Sequence, residues 1–228
     1  MKKIVYSIAF IAVLGISSSS CAQKLMLGLR GGMDIGTVAS DSTAYGISTT
    51  TGLIAGGQLD VWFNDHVALS TGVLLDQKGW SVESVDPDNF TLDYIEIPIF
   101  LKVAFGTGNF RPYVFAGPSI SYMVLGYTNQ FQTEDQNIPN ENTFNINDLV
   151  NTLDFSVVGG AGVAYNLPSG TQIFVDAGYA YGLVNILNEK GKSSEANSYA
   201  LLGEGPLFAP GAFLTRDIRI AGGIMFPI

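Results

Sequence analysis

Taking every second residue from Tyr94 to Val103 separates an apolar row, Ile95, Ile97, Ile99, Leu101 and Val103, from a row of Tyr94, Glu96, Pro98, Phe100 and Lys102. Successive side chains of a β-strand point to opposite faces, so the run reads as a strand with one greasy face and one face that carries both charges. The same period recurs along the chain. Leu25 to Ile35, Leu53 to Phe63, Val67 to Asp76, Tyr113 to Tyr122, Phe155 to Tyr165, Ile173 to Tyr181 and Ile218 to Phe226 all alternate in this way. With Tyr94 to Val103 as the fourth, eight strands are predicted.

The connections alternate as well. Asn64-Asp65-His66, Phe105 to Phe110 and Leu167 to Gly170 are short, whereas Gly36 to Thr50, the stretch around Asp86 to Asn89, Gly126 to Thr152 and Asn185 to Ala212 are mostly longer and polar. Short turns on one side and long loops on the other describe an all-β fold, an eight-stranded antiparallel up-and-down transmembrane β-barrel of the outer-membrane kind. Closure is required there, because lipid offers no partner to the N–H and C=O groups of a sheet edge. A soluble lipocalin-like barrel with its apolar face inward has the same strand count. The aromatics favour the membrane. Phe63, Phe105, Phe110, Tyr113 and Phe226 fall near the short-turn ends, and Trp80, Tyr122, Tyr127, Tyr179 and Tyr181 near the long-loop ends. Two belts of this kind mark the two interfaces of a bilayer. An even number of strands then puts both termini on the periplasmic side.

In that arrangement the apolar rows face lipid and the charged rows face the lumen. Arg30, Asp34, Asp60, Asp76, Glu96, Lys102, Asp154, Asp176 and Arg219 form the expected interior polar network. Charges withdrawn from water must be paired, so a structural network is favoured over an ion path. Bulky inward residues, Arg30, Gln58, Trp62, Tyr94, Phe100, Lys102, Tyr113 and Phe115, are expected to occlude so narrow a barrel. Open porins need about 16–18 strands.

Met1 to Ala22 has a basic start (Lys2, Lys3), an apolar run from Ile4 to Ile16 and small residues after it, the pattern of a cleaved secretory signal, leaving residues 23–228 as one barrel domain. The alternative is a lipoprotein signal in which Cys21 is acylated, although no Leu stands three places upstream of it. Cleavage before Gln23 removes the single cysteine and two of the 11 Lys and Arg, leaving 9 basic against 20 acidic residues, a net charge of −11. So acidic a chain is not built for nucleic acid, which requires clustered Lys and Arg. The balance of 14% charged residues, 27 glycines and a mean hydropathy of +0.28 is uncommon for a soluble domain.

Two segments resemble known patterns. Arg219 to Phe226, "RIAGGIMF", resembles the C-terminal insertion signal of outer-membrane barrels, with Ala221 where Gly is usual and Pro227-Ile228 beyond the aromatic. Such a signal implies contact with the barrel-assembly machinery. "LDYIEIPIFLKV" followed by "RPYVFAGPSISY" resembles the PorT-like outer membrane protein β-barrel family, a porin-family group of Gram-negative Bacteroidota. The resemblance covers essentially the whole mature chain. It implies an eight-stranded barrel and little about activity.

Candidate chemistry is sparse. The one histidine, His66, lies in a short turn and reads as a solvated polar residue. Glu134, Asp135, Glu141 and Asp148 sit in the longest loop without EF-hand spacing, and Gly106-Thr107-Gly108 leads into no helix, so no catalytic, metal or cofactor site is expected. Ser194 to Gly203 has an N-cap, helix formers and a closing Gly. The function expected is that of a non-enzymatic outer-membrane barrel with a structural, adhesive or secretion-accessory role. Its partners would be outer-membrane lipid and an extracellular or secretion-complex protein. The alternative is a lipid-modifying barrel enzyme of the lipid A acylase or deacylase type.

Overall fold

The computed structural model describes residues 24–40, 46–83, 88–130, 142–188 and 213–228. They form nine strands in one sheet: β1 (Lys24–Ser40), β2 (Gly46–Trp62), β3 (Val67–Glu83), β4 (Asp88–Ala104), β5 (Phe110–Gln130), β6 (Asn142–Asn145), β7 (Leu153–Asn166), β8 (Gln172–Gly182) and β9 (Phe213–Pro227). Each of the eight long strands pairs antiparallel with two neighbours. β1 meets both β2 and β9, and β4 meets both β3 and β5, so the sheet closes on itself. The small β6 pairs only with Tyr127 to Gln130 of β5 and stands outside the ring. An eight-stranded, closed, antiparallel barrel results.

Local chemistry makes the tight ends. Asn64 Oδ1 accepts hydrogen bonds from the backbone N–H groups of His66 (2.8 Å) and Val67 (2.9 Å), an Asx-type turn between β2 and β3. The other two short turns each place a glycine at positive φ, Gly106 at 76° and Gly170 at 82°, which a Cβ would oppose.

The strands run further than the apolar alternation predicts. Of the expected loop Gly36 to Thr50, Gly36 to Ser40 and Gly46 to Thr50 are strand, with β1 and β9 still paired at Ser40 and Phe213, and the β4–β5 ladder reaches Asp88 and Gln130. An apolar row ends where lipid ends, but a backbone ladder continues for as long as two chains lie side by side. Two irregularities interrupt the ladders. One lies between Thr49 and Ile54 of β2 opposite β3, and the other at Asp93/Tyr94 opposite β5, where consecutive Val124 and Leu125 are both exposed.

The outward row is apolar: Leu29, Leu53 and Leu75 are 66%, 67% and 64% exposed. Exposed aromatics ring both ends, with Phe63, Phe105, Phe110, Tyr165 and Phe226 at the short turns and Tyr122, Tyr179 and Tyr181 at the other end. Two expected belt members belong elsewhere. Tyr113 and Trp80 are each 2% exposed and point into the lumen, because they share the strand phase of Phe115 and Lys78. Tyr127 is half-buried beside β6. Of the other expectations, residues 1–22, Glu134, Asp135, Glu141 and Ser194 to Gly203 lie outside the described residues.

Met33 pairs with Ile220 between the two belts, and both are half exposed on the outward face. Met33→Arg is expected to cost about 2–4 kcal/mol, the usual effect of a cation on the lipid face near the bilayer midplane. Urea titration of the barrel in phospholipid vesicles measures it; a loss below about 0.5 kcal/mol would mean that this face meets water.

Candidate functional site

Inward side chains divide the lumen into layers. At the short-turn end Met26, Trp62, Ala68, Phe100, Ala104, Tyr113, Phe115, Val158, Ala164, Phe174, Ala180 and Met225 form one apolar cluster. At the long-loop end Val38, Trp80, Phe90, Leu92, Tyr94, Met123 and Phe213 join Ile146, Leu149, Val150, Ile186 and Leu187 in a second. The last five come from the connections after β6 and β8, not from the long strands. Val150 and Leu187 form a β-bridge, and Asn151 N–H donates to Ile186 O (2.7 Å) while Asn188 N–H donates to Leu149 O (3.1 Å). The two connections are thereby stitched together over the mouth, with Trp80 stacked on Phe90 (4.9 Å, 8°) beneath.

The charges around Arg219 lie between these clusters, and those of Lys102 and Asp176 are set within the short-turn cluster, between Phe100 and Ala104 on β4 and between Phe174 and Ala180 on β8. Arg219 of β9 reaches Glu96 of β4 with both terminal nitrogens, Nη1 to Oε1 at 2.7 Å and Nη2 to Oε2 at 2.8 Å. In the ring order β4-β3-β2-β1-β9 these strands stand opposite one another, so the fork crosses the full lumen. The same guanidinium donates Nε to Asp34 Oδ2 (3.1 Å) and Nη2 to Asp76 Oδ2 (2.9 Å). Lys78 Nζ lies 3.6–3.7 Å from Asp76, Asp154 and Asp217. Towards the short turns a second set runs in a chain. Tyr113 Oη donates to Asp176 (2.7 Å), Arg30 holds Asp176 with both terminal nitrogens and also donates to Gln58 (3.3 Å), and Gln58 Nε2 donates to Asp60 (2.9 Å). Asp60 also accepts from Ser70 Oγ (2.7 Å) and Lys102 Nζ (2.8 Å). Lys102 rests 4.3 Å from the Tyr113 ring centroid, a cation–π contact in a buried site.

All nine sequence-expected residues therefore face the lumen, in two groups: Arg219 with Asp34, Asp76, Glu96 and Asp154, and Arg30 and Lys102 with Asp60 and Asp176. Glu96 and Lys102 share a strand but not a partner. Lys78 and Asp217 complete the upper group and were not among the nine, since each lies just beyond the apolar row that marked its strand. Continuing the alternation from Asp76 to Lys78, and back from Arg219 to Asp217, reaches both.

Two small hollows, both beside Arg30, Leu74 and Phe100, have volumes of about 10 Å³ each, room for roughly one water. His66 is exposed at a short turn, its Nδ1 3.0 Å from Ala104 O, two residues along β4 from Lys102. Among the described residues no three Asp, Glu, His or Cys side chains are grouped to hold a metal.

The pairing pattern ranks substitutions. Arg219→Met strands Glu96, Asp34 and Asp76 together and is expected to be the most damaging. Lys102→Met leaves Asp60 its Gln58 and Ser70 donors and should cost about 3–5 kcal/mol or less, the usual loss when a buried pair is broken. Glu96→Gln leaves Arg219 two carboxylates and should be the mildest. The temperature at which the folded band collapses in unboiled SDS gels gives the order; equal heat resistance in all three would mean that the lumen is wet enough to screen them.

The chain is similar in architecture to several solved barrels. Ail, the attachment invasion locus protein of Yersinia pestis, is 13% identical over 88% of this chain and 98% of that one, with a TM-score of 0.44. Neisserial surface protein A is 12% identical over 88% and 97% (TM-score 0.45), and OprG from Pseudomonas aeruginosa 12% over 91% and 96% (TM-score 0.45). At such scores they add nothing to the closed sheet already described. No curated protein matches the chain in sequence. The family described as "Outer membrane protein beta-barrel domain" matches residues 20–188, well over half of the chain. With its closed sheet, apolar exterior and charged interior, the chain belongs to the outer membrane β-barrel domain family.

Proposed function

We propose that this outer-membrane barrel is a non-conducting, non-enzymatic membrane anchor that presents the surface built on its long connections, in an adhesive or secretion-accessory role. The observation that carries this reading is the sealed mouth. Ile146, Leu149, Val150, Ile186 and Leu187 are all at most 5% exposed, packed on the upper lumen cluster and tied together by the Val150–Leu187 bridge. Loops that only linked strands would have no need to bury five apolar side chains and cross-bond their backbones. A fixed platform at one end of a rigid cylinder is suited to holding a protein partner, since little ordering entropy is lost on docking.

The filled lumen supports the absence of transport, and the siting of the chemistry supports the absence of catalysis. Acyl transfer to or from lipid requires an activated hydroxyl or water beside a base at the membrane surface. Among the described residues the sole histidine is at the opposite end from the platform, and the buried carboxylates are engaged with Arg219, Lys78, Arg30 and Lys102. The orientation proposed with this reading puts the platform outside the cell and the short turns in the periplasm.

Reconstitution into planar bilayers is expected to show no steady porin-sized conductance, and proteoliposomes should not swell in small sugars. In intact cells Asp148→Cys should react with an impermeant maleimide and Ser169→Cys should not; both side chains are exposed, at opposite ends. A stable large conductance would remove the anchor reading, and labelling at Ser169 alone would invert the orientation.

A further inference from the structure

Among the described residues the outward face of the long strands carries one base, Arg216. Lys24, Arg30, Lys78, Lys102, Arg111 and Arg219 alternate in phase with lumen residues, whereas Arg216 falls in the outward row between Leu214 and Ile218. Its register partners are Tyr181 of β8 and Thr37 of β1, so it stands at the level of the long-loop aromatic belt. Among the described residues no Asp or Glu occupies the outward rows of β1, β2, β7, β8 or β9. A cation on a lipid-facing surface with no acid in reach takes its counter-charge from outside the chain.

The guanidinium is held in a fixed attitude. Its Cζ lies 3.6 Å from the Tyr181 ring centroid, a stacked cation–π contact. Nη1 donates to the carbonyl oxygens of Gly182 (3.0 Å) and Thr215 (2.7 Å). Only that terminal nitrogen is used. Nε and Nη2, whose N–H groups point the same way along the other edge, have no hydrogen-bond partner among the described residues. Two parallel N–H groups on one edge are the geometry that takes two phosphate oxygens at once. The neighbouring rows change character at this level. On β1 the outward row passes from Met33 and Ile35 to Thr37, and on β2 Leu53 gives way to Thr51 and Thr49, both exposed. Towards the short turns the same face is apolar, with Ile218, Ile220 and Met33 about half exposed.

We propose that Arg216, Tyr181 and Thr37 form a binding site for one lipid with a negatively charged phosphate headgroup. The phosphate takes the open edge of Arg216 and the Thr37 hydroxyl, while Tyr181 fixes the plane in which that edge lies. The acyl chains run down the face over Ile218, Ile220 and Met33. Both halves of the surface are then used, which a free phosphate ion or an uncharged lipid would not achieve. A charge that merely reached for water would have no need of a ring beneath it and two carbonyls to hold one nitrogen. In the orientation proposed above the site opens to the outer leaflet, and the binding itself does not depend on that orientation.

The test uses the whole refolded barrel in a zwitterionic detergent, titrated separately with dimyristoyl phosphatidic acid, dimyristoylglycerol and sodium phosphate. Native mass spectrometry counts the molecules retained and gives the affinity. Expected is one phosphatidic acid per chain, with neither dimyristoylglycerol nor inorganic phosphate held at the same concentration. Arg216→Gln should weaken binding about tenfold or more, the loss of a charge-assisted pair. Arg216→Lys keeps the charge without the fork and should weaken it less; it carries the test if the glutamine variant does not fold. Thr37→Val should weaken binding about threefold, one neutral hydrogen bond. Lys24→Gln, at the other end of β1, should leave it unchanged. The proposal is overturned if dimyristoylglycerol binds as tightly as phosphatidic acid, if no folded Arg216 variant weakens binding, or if Lys24→Gln weakens it as much as they do. Inorganic phosphate bound as tightly as the lipid would make this an anion site without a lipid and overturn it equally.

Discussion

A barrel of eight strands has a lumen only a few side chains wide, and into it this chain sends a guanidinium that must find its partners without water. Arg219 solves that by reaching the opposite wall. Its bidentate contact with Glu96 spans the ring from β9 to β4, and its remaining donors take Asp34 of β1 and Asp76 of β3. The planar, five-donor geometry of arginine makes this possible where a lysine could serve only as a point charge. Because the three acids approach from different strands, the contact holds four of the eight strands at a set separation. The distribution of apolar side chains follows from it. Hydrophobic clusters sit on either side of the Arg219 layer, the lower one also surrounding Lys102 and Asp176, and they exclude the water that would otherwise compete for each pair.

The two ends of the lumen are closed by different means. At the short-turn end the strands close it themselves, with Tyr113, Phe115, Phe174 and Trp62 filling the taper and Lys102 and Arg30 resting on aromatic faces. At the other end non-strand residues after β6 and β8 fold in against the lumen cluster to complete the seal. Only the second arrangement leaves a surface whose composition can vary without disturbing the barrel. The platform, not the lumen, is thus where recognition would be placed.

How much of this the sequence disclosed depends on range. The alternation of Ile95 to Val103 against Glu96 and Lys102 needs only neighbouring residues, and it named the faces, the eight strands and nine lumen charges. It did not name their partners. Glu96 pairs with a residue 123 positions away and Asp60 with one 42 away, separations set by ring order and register that no local period contains. Strand ends were lost for a related reason: beyond lipid the apolar row stops while the ladder does not, which hid Lys78 and Asp217. Height alone assigns Trp80 and Tyr113 to the belts, although the strand phase they share with Lys78 and Phe115 turns them inward. Ile146 to Val150 and Ile186-Leu187 carry no period at all, and their burial against the upper cluster is legible only once the mouth exists.

Closure itself poses a harder problem than any single hairpin. Seven of the eight seams join strands close in sequence, but the eighth joins β1 to β9, the two ends of the domain. No turn sets the register there, and a slip of one residue would turn every side chain of β9 from lumen to lipid. Apolar matching alone gives weak control, since Leu29, Met33, Ile220 and Ile224 on the outward side are nearly interchangeable in lipid. The charges discriminate sharply. In the observed register Asp34 stands directly opposite Arg219, and their ion pair is 3.1 Å long across a sequence separation of 185. A one-residue slip would put Arg219 into hydrocarbon and leave Asp34, Asp76 and Glu96 together without their cation. The energetic gap between correct and slipped closure therefore resides mainly in the buried arginine. That is a reason for a barrel filled by its own side chains at this level to keep so costly a charge at its centre.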